Sequence, residues 1–520
     1  MTIDTSGDAA ECRHGQPRWL TRLRAALSTL VFASLLPGWQ DAASQAELPQ
    51  AEAPPFVDKS CVEVGLPYSV HARVRCGTVA VPRIYGRTDS DTYELAVVVV
   101  ASATQPPSLD PLLILEGGPG SSAIRRIATL PQMRPGARPG PLFFANDRDL
   151  ILVDPRSAGS SEPAGCGRGI HGSLEVSSPD YSPAEMLVAV RSAMRDCLEA
   201  ARRRGVLPEH FGTVVSVQDL ELVRRALGVD RWNAIGVSAG TVTGLELAGR
   251  YPDRLRSLVV DSVVPFDNPS YIDDRFAAAV STFLRECSAS VACNAAYPEL
   301  ASDLESNLAA LETTPIAVRL PPQPGESGNL AIVNRADLEL IIFSALYNRE
   351  SIARLPLLIE SIGRRRTDEV ARALADTDAR LGGPSELARL GVLCRDYPLE
   401  SALLNARPGA PVSGIHSVLP GDVCGGWVAS ELRPEVPVAT KVPILVLGGA
   451  LDPATSSQEG LDTARRLGPS ARFVEFPSVG HVTLSQPCSR SIVAAFLDDP
   501  GADLDVSCAE LIPPIEFAVE

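Results

Sequence analysis

Seven short runs in this chain are apolar at nearly every position rather than at alternate ones: residues 93–101 (YELAVVVVA), 112–115 (LLIL), 150–153 (LILV), 232–237 (WNAIGV), 258–264 (LVVDSVV), 444–447 (ILVL) and 473–476 (FVEF). A strand that is apolar on both sides has to be covered on both faces, which is the situation of a mostly parallel sheet between two layers of helices. Helical periodicity fills the intervals, as in residues 217–227 (VQDLELVRRAL), which stop at Gly228. Strand, helix, strand in repetition predicts an α/β fold with right-handed crossovers. The alternation lapses after Pro265 and resumes near Val442, with helical patterns at 271–287, 336–347 and 367–381 between. The expected organisation is therefore one core in two parts, 47–265 and 441–520, with a mainly helical cap or lid at 266–440. An insertion so placed lies over the carboxyl edge of the sheet, where open α/β sheets hold their ligands.

Residues 1–46 read as an address. Arg13, Arg18, Arg22 and Arg24 precede a twelve-residue apolar stretch at 25–36, followed by Pro37-Gly38 and the small residues Ala42, Ala43, Ser44 and Ala46. This is the pattern of a secretory signal peptide, and its apolar stretch is shorter than the roughly 20 residues needed to span a bilayer. No second membrane segment follows, so the expected location is exported, periplasmic or extracellular. Export makes the cysteines candidates for disulfides. Cys12 leaves with the signal, and ten remain. Pairing sequence neighbours closes five modest loops: Cys61–Cys76, Cys166–Cys197, Cys287–Cys293, Cys394–Cys424 and Cys488–Cys508. No CxxC pair occurs and the six His are scattered, so neither a metal nor another cofactor is expected. With 63 acidic against 47 basic residues and a net charge of −16, nucleic acid is not an expected partner.

The chemistry converges on Gly236-Val237-Ser238-Ala239-Gly240. A strand enters it and a helical stretch leaves it, the context of a nucleophile elbow that exposes a serine hydroxyl and turns the next residue's N–H toward a developing oxyanion. Ser238 is the candidate nucleophile and Ala239 one oxyanion donor. After an earlier strand, Glu116-Gly117-Gly118-Pro119-Gly120 offers a glycine loop whose Gly118 N–H is the candidate second donor. It lacks the Lys-Ser/Thr of a phosphate-binding loop. A serine needs a base and the base an orienter. His481 follows the last strand and Asp452 the one before it, so Ser238, Asp452, His481 run in the chain order used on the α/β-hydrolase scaffold. His71, His171, His210 and His416 read as ordinary surface or cap residues.

Taken together, Gly117–Gly120, the segment 154–161 (DPRSAGSS), the elbow followed by Tyr251-Pro252, the segment 447–453 (LGGALDP) and Gly480-His481 resemble the prolyl aminopeptidase family of α/β-hydrolase serine peptidases. The likeness is greatest to its secreted tripeptidyl aminopeptidase branch and spans roughly residues 60–515. It implies an α/β-hydrolase fold with a large helical cap, the triad Ser238, Asp452 and His481, and oxyanion donors Gly118 and Ala239. The chain departs from the family pattern at Pro155 and Ser157, at Ala239 where Tyr is frequent, and at Glu116 before the glycines.

The resemblance also implies carboxylates that face the pocket to hold a cationic amino terminus. Asp396, in Cys394-Arg395-Asp396-Tyr397, and Glu116 are the candidates. The expected activity is a serine hydrolase that removes N-terminal tripeptides, or single residues such as Pro, through an acyl-enzyme. An exported carboxylesterase would use the same triad, and a catalytically silent binding protein would keep only the shell. Short peptides, peptide N-termini or small esters are the expected substrates.

Overall fold

The computed structural model describes residues 53–66, 73–107, 109–129, 147–166, 183–265, 272–320, 330–381, 383–397, 423–425, 427 and 440–519. Residues 1–52, which include the expected signal peptide, and His71, His171 and His416 lie outside the described residues.

The strands are β1 (Phe56–Asp58), β2 (Val74–Pro82), β3 (Thr92–Val100), β4 (Leu112–Leu115), β5 (Leu150–Val153), β6 (Trp232–Val237), β7 (Leu255–Asp261), β8 (Ile316–Arg319), β9 (Leu330–Val333), β10 (Ile444–Gly449) and β11 (Ala471–Phe476). Nine of them form one sheet in the order β1-β2-β3-β5-β4-β6-β7-β10-β11. From β5 to β11 every neighbour is parallel, and β1 to β3 add an antiparallel edge. The uniformly apolar runs have the burial they require: β5, β6 and β10 are buried at every residue. One face packs Leu445, Leu447 and Phe476 against Ile492, Val493 and Phe496 of the helix Pro487–Asp498. The other packs Trp232, Leu258 and Val260 against Val217 and Leu220 of the helix Thr213–Ala226, and Leu245 of the helix Ala239–Arg250. Each such side chain removed from water contributes about 1.5–3 kcal/mol.

Between β7 and β10 the chain leaves the sheet. It forms the helices Ile272–Ala289, Val291–Ala296, Leu300–Thr313, Arg335–Ala345, Arg349–Gly363, Thr367–Leu381 and Glu386–Asp396. This helical insertion also holds what periodicity missed, the antiparallel hairpin β8–β9. Its strands have only four residues each, too few for an alternation to stand out. The insertion has its own core, including Phe276, Phe283, Leu338 and Ile359, which the carboxyl-terminal Ile515 and Phe517 join.

β7 differs most from expectation in its end. Residues 258–264 read as a strand, but β7 stops at Asp261 because Ser262 turns to φ 63°. Residue types consistent with a strand do not exclude a left-handed turn when tertiary partners hold it. Disulfides join Cys61–Cys76, Cys166–Cys197, Cys287–Cys293, Cys394–Cys424 and Cys488–Cys508. A loop of about 15 residues so closed gains about 3 kcal/mol from restriction of the unfolded chain.

Candidate active site

The sharp turn at Ser238 follows from what surrounds it. A Cβ on Gly236 would lie 2.5 Å from the Gly240 carbonyl oxygen, and one on Gly240 only 2.1 Å from that of Leu115. Both glycines are therefore obligatory if β6 is to run straight into the helix Ala239–Arg250 while packed on β4. Ser238 sits at the bend with φ 53° and ψ −125° and is partly exposed. Ala239 is the first residue of the helix, where an N–H has no partner within the helix. Gly117 is packed on the serine: a Cβ there would lie 2.8 Å from Ser238 Cβ and 3.4 Å from its Oγ. The glycine loop thus runs alongside the hydroxyl, with Gly118 at φ 112° as its next residue.

Segment 154–161 supports that loop. Buried Asp154 accepts from Ser122 Oγ at 2.7 Å and from the Ile124 N–H at 3.2 Å, pinning the first turn of the helix Ala123–Ala128 that follows the glycines. Burial pushes this carboxyl up to about 7 against those donors. Arg156 grips Asp219 with two nitrogens, at 2.7 and 2.8 Å, both residues being buried.

The candidate acid and base meet across two loops. Asp452 Oδ1 accepts from the N–H groups of Ala454 and Thr455, both at 2.9 Å, and Oδ2 accepts from Thr455 Oγ1 at 2.8 Å and faces His481 Nδ1 at 2.8 Å. Burial alone would raise the Asp452 carboxyl, but the facing imidazole and these donors hold it below the ordinary carboxylate range. With Nδ1 occupied, Nε2 is the nitrogen left for proton exchange. The ring of Tyr347, from the insertion, lies 4.5 Å from that of His481, centroid to centroid. Gly480 is forced by the same contact, since a Cβ there would lie 1.8 Å from the Leu346 carbonyl oxygen. Asp261 joins the two halves of the site. Its carbonyl accepts the Ser238 N–H at 2.9 Å, and its carboxylate accepts from Thr483 and Leu484, just past His481.

Beside Ala239 opens a cavity of about 930 Å³, counting the part continuous with solvent, walled by Leu95, Leu115, Phe211, Val242, Val392 and Tyr397 among others. Glu116 lines it and pairs with Arg126 at 3.2 Å; burial raises its carboxyl, against the pull of that guanidinium. Asp396 lies behind the wall formed by Gly212, Thr213 and Tyr397. Its Oδ2 accepts from the Thr213 N–H at 2.9 Å and hydroxyl at 2.7 Å, while its buried Oδ1 has no hydrogen-bond partner among the described residues. The absent side chain of Gly212 keeps space before that oxygen, for a Cβ there would lie 3.1 Å from Oδ1. Burial pushes the Asp396 carboxyl up to about 6.

Several of these residues escaped the sequence reading. Thr455 was legible in principle, because Asp-x-x-Thr is a side-chain-to-backbone turn. Asp261, Tyr347 and Asp219 carry no local signal. His210, read as a surface or cap residue, is 2 % exposed and accepts from Tyr93 Oη at 2.7 Å. Burial, with Arg156 and Arg83 nearby, holds its imidazole down at about 4.

Comparison with known proteins agrees with this architecture. The family model for the alpha/beta hydrolase fold matches residues 110–329, and one for "TAP-like protein" matches residues 413–508. The serine protease Hip1 of Mycobacterium tuberculosis is 27 % identical over 455 residues, 81 % of this chain and 84 % of that protein. The tripeptidyl aminopeptidase of Streptomyces lividans is 31 % identical over 209 residues, 38 % of this chain and 36 % of that protein. Carboxylesterase B of Mycobacterium tuberculosis is 25 % identical over 485 residues, 86 % of this chain and 89 % of that protein.

Proposed function

The chain belongs to the α/β-hydrolase family with a TAP-like carboxyl-terminal region and is a serine hydrolase of the peptidase kind; on that premise we propose that it is an exported aminopeptidase that recognises a free amino terminus and releases N-terminal tripeptides or single residues. Ser238 attacks the scissile carbonyl as His481 Nε2 removes its proton. Asp452 holds the imidazole and balances its charge. The N–H groups of Gly118 and Ala239 receive the oxyanion, each worth about 10²–10³ in rate. The protonated His481 then gives its proton to the departing amine, and a water activated by the same imidazole releases the acyl group from Ser238. Segment 266–440 acts as the cap. Disulfides suit an oxidising compartment, outside the cytoplasm, and among the described residues no helix is long and apolar enough to cross a membrane.

The observation that carries the amine specificity is Asp396 Oδ1, a buried carboxylate oxygen with no hydrogen-bond partner among the described residues, lying behind the Gly212–Thr213 wall of the cavity beside Ala239. Leaving such an atom unsatisfied is costly, and an ammonium group is the donor that satisfies it best. Glu116, partly neutralised by Arg126, is the secondary candidate. A carboxylesterase with the same triad has no use for that orphan oxygen. Asp396→Asn is expected to lower kcat/KM on free-amine tripeptidyl and prolyl amides about 10²-fold while acetylated peptides and short esters change little. Because the carboxyl sits near 6, amide hydrolysis should fall as pH drops through that value and the negative charge is lost, more steeply than ester hydrolysis, which shares only the dependence on His481 as base. Equal losses on both substrate classes would remove Asp396 from the role.

A further inference from the structure

Three non-glycine residues with positive φ come together around the candidate catalytic pair: Ser238 itself at 53°, and, behind it and His481, Ser262 at 63° and Val482 at 67°. Val482 is the exceptional one. A β-branched side chain is a true outlier in that region and persists only where its surroundings over-determine it. It also directly follows His481.

Its restraints come from one dipeptide. The Val482 N–H donates to Ser262 Oγ at 2.9 Å, the Thr483 N–H to Asp261 Oδ1 at 3.0 Å, and the Leu484 N–H to Asp261 Oδ2 at 2.9 Å. Three successive amides past the imidazole are thus captured by Asp261–Ser262. The same Asp261 takes the Ser238 N–H on its main-chain carbonyl at 2.9 Å. Ser262 is tied in turn to β10, its N–H donating to the Leu447 carbonyl at 3.0 Å. Asp261 and Ser262 are 0 % and 1 % exposed, so these bonds are made without competing water. A carboxylate needed only to finish β7 would bind donors nearby; both oxygens here serve a loop more than 200 positions away.

We propose that Asp261 is a positioning residue which, with Ser262, holds Val482 in its strained conformation and so sets His481 at working distance from Ser238. One residue anchors the nucleophile by its backbone and the base loop by its side chain, making the separation of the two reacting groups a property of a single rigid point in the sheet. The proposal rests on Ser238 and His481 being nucleophile and base.

Asp261→Asn keeps the shape but presents one oxygen and turns an amide NH₂ toward an N–H that it cannot satisfy. The expected result is a kcat about 10²-fold lower with KM within about twofold. The rate at which a fluorophosphonate labels Ser238 should fall in proportion. Val482→Gly supplies the discriminating background, because glycine takes positive φ without steric cost. There the loss caused by Asp261→Asn should shrink to about tenfold. A loss of equal size in both backgrounds, or one carried by KM, overturns the proposal. If Asp261→Asn does not fold, Ser262→Ala takes its place: it removes the acceptor for the Val482 N–H, should lower kcat about tenfold, and should do less when residue 482 is glycine. An unchanged kcat in Ser262→Ala overturns the proposal. Ser238→Ala separates the two failures. Labelling that survives it refutes the nucleophile itself, whereas labelling that vanishes in Ser238→Ala but stays at the wild-type rate in Asp261→Asn refutes only the brace.

Discussion

The two sides of the site are built differently. The side of the proposed nucleophile is made of contiguous chain. Strand β6, the turn at Ser238 and the helix Ala239–Arg250 follow without interruption, and the glycine loop after β4 lies against them because β4 and β6 are paired neighbours. Its specificity comes from the absence of side chains at Gly117, Gly236 and Gly240. The acid–base side is assembled from side chains of distant segments: Asp452 and Thr455 after β10, His481 after β11, Asp261 at the end of β7 with Ser262 just past it, and Tyr347 from the insertion. The first is protected by sterics, which fail abruptly. The second rests on several hydrogen bonds, each of modest net worth, and should fail gradually.

The contrast can be broken where it is sharpest. Gly117→Ala leaves the sheet and its cores untouched but drives a methyl to 2.8 Å from Ser238 Cβ. The expected outcome is a fall in kcat/KM of about 10²–10³ with a small change in melting temperature. Near-normal activity would show that the loop yields easily and that the nucleophile side is not sterically defined. On the other side, Thr455→Ala removes one of two donors to Asp452 Oδ2. Steady-state kinetics should show a loss of about tenfold, restored by Thr455→Ser, which keeps the hydroxyl. A loss as large as that of Gly117→Ala would mean that the acid–base side is as brittle as the other.

The smallest expected effect lies outside both. His210 is buried and neutral with its imidazole near 4, so between about 6.5 and 4 the unfolded chain binds the proton that the folded chain refuses. Stability is then fully present above 6.5 and declines as pH falls toward 4. In His210→Asn, whose Oδ1 replaces Nδ1 as acceptor from Tyr93, denaturant unfolding across this range should lose about 2 kcal/mol of that slope relative to wild type. The raised carboxyls of Asp154 and Asp396 act in the opposite sense, and they cancel in the comparison because both proteins contain them. Catalysis at neutral pH should be unchanged.

The same contrast explains what could be read from residues alone. The buried strands β4, β5 and β6 were legible to their ends, because an unbroken apolar run has one use in a sheet covered on both faces. β7 was displaced, since its end is decided by Ser262 turning to meet Val482, and the short hairpin β8–β9 was lost among helices. Ser238, Gly118 and Ala239 announce themselves through a local pattern. Asp452 and His481 emerged from order along the chain, and the structure brings these two into direct contact.

What the sequence determined by itself was therefore whatever short-range sterics and periodicity control: the α/β class, the strands of the parallel sheet, the turn at Ser238 and the residues available for acid–base chemistry. Long-range packing alone settled which buried polar groups are matched and which are not. Asp261 and Asp396 look alike as letters, yet one has its carboxylate oxygens engaged by the loop past His481 and the other keeps one oxygen without a partner among the described residues, behind Gly212. A hydrogen bond is set by distances of a few tenths of an ångström between segments far apart in the chain, and no local pattern of residue types encodes that separation.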